Sequence, residues 1–327
     1  MKKLNDKLII VTGGAGFIGS GIVRHLNDQG LSNVIVVDEL KSSEKWKNLV
    51  GKQFVDILEK DQLFDWLEGR HDDIKAFIHM GACSDTMETN ASYFLENNYR
   101  YTVRLAEYAM KHEQRFIYAS SAATYGDGSL GFVDEDKKIY DLKPLNMYGF
   151  SKQLFDQWAL RTGVQHRLVG LKYFNVYGPN ELHKGRMASA ITRFVPQIHK
   201  GDPIRLFKSN DPQYGDGEQK RDFIYVKDAV RMTCDFLNND AGGLFNIGTG
   251  RATTWKELAT AVYHAMEQKP KIEYIDMPPD LVGKYQSYTC AEMSKSKKVL
   301  SGKTECTHLE DSVRDYVCNY LIPGTQW

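Results

Sequence analysis

"LIIVTGGAGFIGS", residues 8–20, joins four consecutive apolar residues to a cluster of glycines and then to an amphipathic stretch. The apolar part reads as a strand buried on both faces, the glycines as a tight turn, and "FIGSGIVRHLNDQG" as the helix that follows. Gly13, Gly14, Gly16 and Gly19 satisfy both G-x-x-G-x-x-G and G-x-G-x-x-G. Glycines here tighten the turn, bring backbone N–H groups to a pyrophosphate at the helix N-terminus, and let helix and strand pack closely. A second apolar run, "NVIVVD", ends in Asp38 about twenty residues on, where a carboxylate accepts hydrogen bonds from an adenosine ribose. Strand, glycine turn, helix and acid together predict a dinucleotide site.

The same rhythm continues outward. "AFIHMGA", "RFIYASS" and "HRLVGLKYFNVYG" are apolar runs separated by helical stretches such as "NNYRYTVRLAEYAMKH". This alternation predicts an α/β fold: a Rossmann-type, doubly wound parallel sheet with helices on both faces. Beyond residue 173 loops richer in Gly, Pro and Asn intervene. "RDFIYVKDAVRMTCDFLNND" and "GGLFNIGTG" then read as a strand, a helix and a strand returning to the sheet. The expected division is a dinucleotide-binding domain over 1–173 and 223–250, with a smaller discontinuous α/β substrate domain over 174–222 and 251–327.

The 327 residues are 42% hydrophobic and 26% charged, and 42 Lys plus Arg balance 42 Asp plus Glu. Nothing in that balance points to nucleic acid or an anionic membrane, so a small molecule is the expected partner. Five cysteines without a C-x-x-C pair suit reduced thiols in the cytoplasm and neither a zinc site nor a disulfide framework. No apolar run approaches membrane-spanning length, and no metal is expected. His79, His112 and His166 read as packed or surface histidines.

"YASSAATYG" ends its strand with Ser120 and Ser121, and "YGFSK" supplies Tyr148 and Lys152. Four residues apart on a helix, tyrosine and lysine share a face, where the ammonium is expected to lower the phenol's pKa and to reach the nicotinamide ribose. Such a phenol takes a proton from a substrate alcohol while hydride leaves the same carbon, with Ser121 holding the oxygen. Asp38 alone favours NAD. Lys41, Lys45, Lys47 and Lys60 offer a cation to a 2′-phosphate and tilt the expectation to NADP, with NAD still open.

The glycine loop, "GACS" (81–84), "SSAATYG", "KPLNMYGFSK", "YFNVYGP", "HKGRMAS", "KRDFIYV" and "FNIGTGR" occur in that order. In this the chain resembles the extended short-chain dehydrogenase/reductases, and more narrowly the ADP-L-glycero-D-manno-heptose 6-epimerases. "HKGRMAS" and its neighbours are the specific part. The resemblance implies a cofactor lined by Gly13, Gly16, Phe17, Ile18, Gly19, Asp38, Glu39, Lys45, Lys60, Met80, Gly81, Ala82, Cys83, Ser84, Asn97, Lys152, Val176 and Lys184. It implies a nucleotide sugar held by Asn175, Arg186, Arg193, Phe207, Lys208, Ser209, Asn210, Arg221 and Tyr285. Tyr148 and Lys184 are the implied acid/base residues, acting with Ser121 and Lys152. Glu39, Met80, Arg186 and Arg193 stand where that pattern has asparagine, glutamate, serine and histidine. The resemblance also implies a homo-oligomer, a ring such as a homopentamer, and a place in the lipopolysaccharide inner-core heptose pathway.

A second base has a chemical reason. Inversion at the exocyclic C6 proceeds through a ketone whose other face is presented by rotation about a single bond. The oxygen then points elsewhere, so one fixed tyrosine does not serve both orientations, and Lys184 is the candidate partner. Three alternatives stay open: a ring 4-epimerase, a dehydratase and a non-catalytic cofactor-binding regulator. Ala122 and Ala123 stand where a dehydratase needs an acid, and the regulator reading conflicts with an intact Ser121, Tyr148 and Lys152.

Overall fold

A computed structural model describes residues 7–279 and 286–327. Its strands, in chain order, are β1 (Leu8–Thr12), β2 (Val34–Asp38), β3 (Asp56–Glu59), β4 (Ile74–His79), β5 (Arg115–Ser121), β6 (Leu168–Tyr173), β7 (Asn175–Tyr177), β8 (Ile204–Phe207), β9 (Lys220–Arg221), β10 (Phe223–Tyr225), β11 (Gly243–Ile247), β12 (Thr253–Thr254) and β13 (Ile272–Ile275). Seven of them form one parallel sheet in the order β11-β6-β5-β4-β1-β2-β3. The order reverses between β1 and β4, so the loops after these two strands part and leave a crevice at their carboxyl ends.

The apolar runs lack alternation because both faces of the sheet are covered. Ile9 and Val11 of β1 pack with the helices Phe17–Asp28 and Val226–Asp235, whereas Ile10 packs with Tyr101–Lys111 and Met147–Arg161. Each of the three is fully buried and contributes about 1.5–3 kcal/mol. Smaller pairs build the rest: β7 with β10 and β8 with β13 in parallel, and β9 with β12 antiparallel. Ile191, Phe194, Ile204, Leu206, Leu258 and Val262 from these regions join the cluster that already holds Ile9 and Val11, so one core continues under the crevice.

Two strand expectations are corrected. "RDFIYV" does form a strand, β10, but it pairs with β7 and not with the central sheet; only β11 returns there. The seventh sheet strand, β3, escaped the sequence reading because it is a short edge strand of which only Leu58 is buried, so it shows neither an apolar run nor an alternation.

Candidate active site at the carboxyl edge of the sheet

The glycine turn follows β1 and enters the helix Phe17–Asp28. Gly13 has φ +65°, and a Cβ there would lie 2.6 Å from the Gly81 nitrogen; one on Gly19 would lie 2.1 Å from the Gly13 carbonyl oxygen. Only glycine permits so close an approach of turn, helix and the β4 loop. Gly16 provides no side-chain cap for the helix, and the first turn carries no acidic residue. Asn146 caps Met147–Arg161 and a Thr254/Glu257 capping box starts Trp255–Ala265, whereas Ile191–His199, Val226–Asp235 and Leu309–Tyr316, like this helix, have no side-chain cap. Gly13, Gly16, Phe17, Ile18 and Gly19 line a cavity of about 550 Å³. The free N–H groups and positive dipole end of this helix therefore fit the pyrophosphate of a dinucleotide.

Beside it, a smaller cavity of about 150 Å³ is lined by Asp38, Glu39, Lys45, Lys60, Cys83 and Asn97 among others. Asp38 accepts from the Ala15 N–H at 2.9 Å and from Lys45 Nζ at 2.6 Å. Lys60 donates to Asn97 Oδ1 at 2.9 Å and lies 3.3 Å from Glu39. Lys41 and Lys47 instead pair with Glu39 and Glu44 and do not line the cavity.

Ser121 closes β5, and Tyr148 and Lys152 project from the helix Met147–Arg161; all three line the main cavity. The Tyr148 phenol lies beside the Ser121 hydroxyl, near enough for it to lower the phenol's pKa. Its pKa corrects the expectation from spacing. Burial raises it above the ordinary value, and only the Ser121 bond pulls it back. Lys152 does not relieve it here, because its Nζ donates to the Ala119 carbonyl at 2.7 Å. Burial brings Lys152 itself down to about 8, with Asp156 and Cys83 opposing.

Asn175, Val176, His183, Lys184, Arg186 and Arg193 reach the same cavity from the segment after β6. Lys184 Nζ stands 5.2 Å over the Phe17 ring, and burial lowers its pKa against the pull of Glu181. His183 touches Asn48 at 3.2 Å and is held neutral by burial and by Lys45 and Lys184, its pKa down to about 4. Arg186 pairs with Asp85 at 2.7 Å.

All eighteen positions expected at the cofactor line one or other of these two cavities. Of the substrate set, Asn175, Arg186 and Arg193 line the main cavity. Phe207, Lys208, Ser209 and Asn210 lie at the end of β8 and beyond, outside both linings, with Lys208 on Asp276 at 2.9 Å. Arg221 is buried in β9, and Tyr285 lies outside the described residues. His79 bridges Thr12 at 2.5 Å and Thr102 at 2.9 Å, a packed histidine as expected, and no His/Cys/Asp/Glu cluster suited to a metal occurs among the described residues.

Sequence reasoning missed Asn98. A π-helical turn over Leu95–Arg100 brings it against both backbone groups of Cys83, at 2.8 and 2.9 Å, and against Ser151 Oγ at 3.0 Å. It thereby ties the 81–84 loop to the Tyr148 helix. "NNY" in an amphipathic stretch carries no signal for that, beyond a buried asparagine being costly without partners.

Known proteins share this geometry. Residues 9–248 match the NAD dependent epimerase/dehydratase family. An ADP-L-glycero-D-manno-heptose-6-epimerase of Nitratidesulfovibrio vulgaris is 53% identical, over 96% of this chain and 98% of that one. One of Fusobacterium nucleatum is 44% identical over the same shares. The crystal structure of the Helicobacter pylori ADP-L-glycero-D-manno-heptose-6-epimerase superposes with a TM-score of 0.80 at 27% identity, covering 98% of this chain and 99% of that one. No helix among the described residues is long and apolar enough to cross a membrane. With its uncapped glycine turn, strand-end serine and Tyr148–Lys152 helix in place, the chain belongs to the NAD dependent epimerase/dehydratase family, and within it to the ADP-L-glycero-D-manno-heptose 6-epimerases.

Proposed function

We propose that this chain inverts C6 of ADP-D-glycero-β-D-manno-heptose to give ADP-L-glycero-β-D-manno-heptose, using a nicotinamide cofactor held as NADP. The observation that carries the reading is that two proton-handling groups from unconnected elements, Tyr148 and Lys184, line one cavity with the glycine turn. A nicotinamide held there would supply the acceptor and donor for the C6 hydride and a positive charge. Tyr148, held by Ser121, takes the proton of one C6 alcohol, and Ser121 steadies the oxygen. Lys184 handles the proton in the other orientation of the C6 oxygen. Lys152 anchors the cofactor ribose and, while protonated, favours the ionised phenol. Arg186 and Arg193 offer guanidinium groups to the substrate diphosphate.

NADP is preferred because Lys45 and Lys60 both reach the small cavity, where each already offsets a carboxylate. Denaturing the purified protein and identifying the released dinucleotide tests this; NAD alone would reverse it. The reaction itself is tested by conversion in heavy water. C6 of the product should carry no deuterium, and a substrate deuterated at C6 should keep its label. Solvent deuterium at C6 would replace hydride return with proton exchange.

A further inference from the structure

Lys172 of β6 and Asp156 of the helix Met147–Arg161 form an ion pair at 3.0 Å with both side chains sealed from solvent, and neither lines the two cavities described above. Asp156 gathers β5 onto this helix. Its Oδ1 accepts from the Tyr118 hydroxyl at 2.9 Å, and its Oδ2 accepts from the Ser120 hydroxyl at 2.8 Å as well as from Lys172. Lys172 also donates to Thr124 Oγ1 at 2.6 Å, with the Tyr125 ring 5.0 Å from its ammonium. These partners all lie on β5 or in the short turn Ala122–Tyr125 that follows it.

Ser121 sits between those anchors. Thr124 donates to the Ser121 carbonyl at 2.7 Å, and the Ala123 N–H of the same turn donates to Ser121 Oγ at 3.1 Å. The residue before it, Ser120, is held by Asp156. Asp156 follows Lys152 by one helical turn and Tyr148 by two, so bonds that fix Asp156 also fix the height of Tyr148 against the end of β5. A buried ion pair is weak evidence for stability, because desolvation offsets most of its attraction and apolar residues of similar volume often do as well. Its directional bonds, in contrast, admit one register of helix on strand. We propose that Asp156 and Lys172 are positioning residues that set Ser121 against Tyr148, by locking the carboxyl end of β5 and the turn after it to the helix that carries the tyrosine. The catalytic consequence rests on the reading of Ser121 and Tyr148 as the groups that hold the oxygen and handle its proton. The geometry does not.

A double-mutant cycle separates positioning from general loosening of the core. Asp156→Asn combined with Lys172→Met removes both charges and strands neither. Turnover of ADP-heptose is followed by product NMR, with bound cofactor per chain counting the intact sites. In the wild-type background the combined replacement should lower kcat about tenfold or more, the scale of a misplaced reacting group, with KM and cofactor content unchanged. In Ser121→Ala, where no hydroxyl is left to position, it should cost less than about twofold. An equal loss in both backgrounds, an unchanged kcat, or a loss confined to KM overturns the proposal. Thr124→Val cuts the link from Lys172 to the Ser121 carbonyl without touching a charge. It should lower kcat with the same dependence on Ser121, and it decides the matter if the combined replacement does not fold; an unchanged kcat there overturns the proposal. Crystal structures of the wild-type and Thr124→Val proteins read the geometry without any reaction. Ser121 Oγ should shift relative to the Tyr148 hydroxyl by about 0.5–1 Å, and an unmoved Ser121 overturns the proposal. If the wild-type protein does not convert ADP-heptose, the proposed reaction falls and this displacement alone decides the positioning.

Discussion

The glycine turn and the Lys184 loop border the same cavity and are built by different means. The turn is closed partly by its own backbone, Gly16 N–H donating to the Gly13 carbonyl at 2.9 Å and Ser20 N–H to the Gly16 carbonyl at 3.0 Å, and partly by β2, whose Val37 and Asp38 accept from Gly14 and Ala15 N–H. The Lys184 loop adds to its own backbone turns a set of bonds from elements far apart in the chain. Asn180, at φ +74°, donates to Ser20 Oγ at 3.0 Å and exchanges bonds with the Trp327 backbone at 2.9 and 3.2 Å. Its own carbonyl accepts from Asn48 at 3.2 Å. Under the proposed function, the bracing holds Lys184 where it meets the second orientation of the C6 oxygen.

That contrast can be broken at several points. Tyr148→Phe should cost turnover about 10³-fold or more while the cofactor stays bound, because the phenol handles a proton and does not anchor the dinucleotide. Product NMR and the released dinucleotide read the two halves; full activity would remove Tyr148 from the chemistry. Lys184→Ala should cost kcat about 10²-fold with folding intact. A change confined to KM would make Lys184 a diphosphate contact.

Asn180→Ala strikes the bracing without touching the chemistry. It should destabilise by about 1–3 kcal/mol, leave bound cofactor in place and lower kcat, seen by denaturant titration and kinetics. Loss of cofactor instead would show that the two regions are mechanically one. A pH series sharpens the cofactor side. Lys152 loses its proton as pH rises through about 8, so affinity of cofactor-free protein for the dinucleotide should weaken above that pH and be pH-independent in Lys152→Met. The smallest effect is expected from replacing Lys45 and Lys60 together with alanine, which should shift cofactor preference towards NAD; an unchanged ratio would leave both lysines as partners of Asp38 and Glu39 only.

Legibility in the sequence follows the range of the forces involved. β1, β2, β4, β5 and β6 were readable because strands covered on both faces need unbroken apolar runs, and the glycine turn because backbone crowding admits no side chain. β3 was not, since an edge strand is stabilised by its ladder more than by its residues. The direction of the Tyr148 pKa was not either. Helical spacing puts Lys152 on the right face, but whether its amine reaches the phenol or the Ala119 carbonyl depends on how β5 packs against that helix.

By itself the sequence determined the parallel sheet and the dinucleotide turn, because each depends on residues a few positions apart. Tertiary structure alone decided which groups share a cavity and what charge they carry there. It placed Asn98 between the 81–84 loop and the Tyr148 helix, and it brought Lys184 and Tyr148 to one cavity. Burial and Coulomb interactions depend on neighbours from elements far apart in the chain, and no short pattern records them.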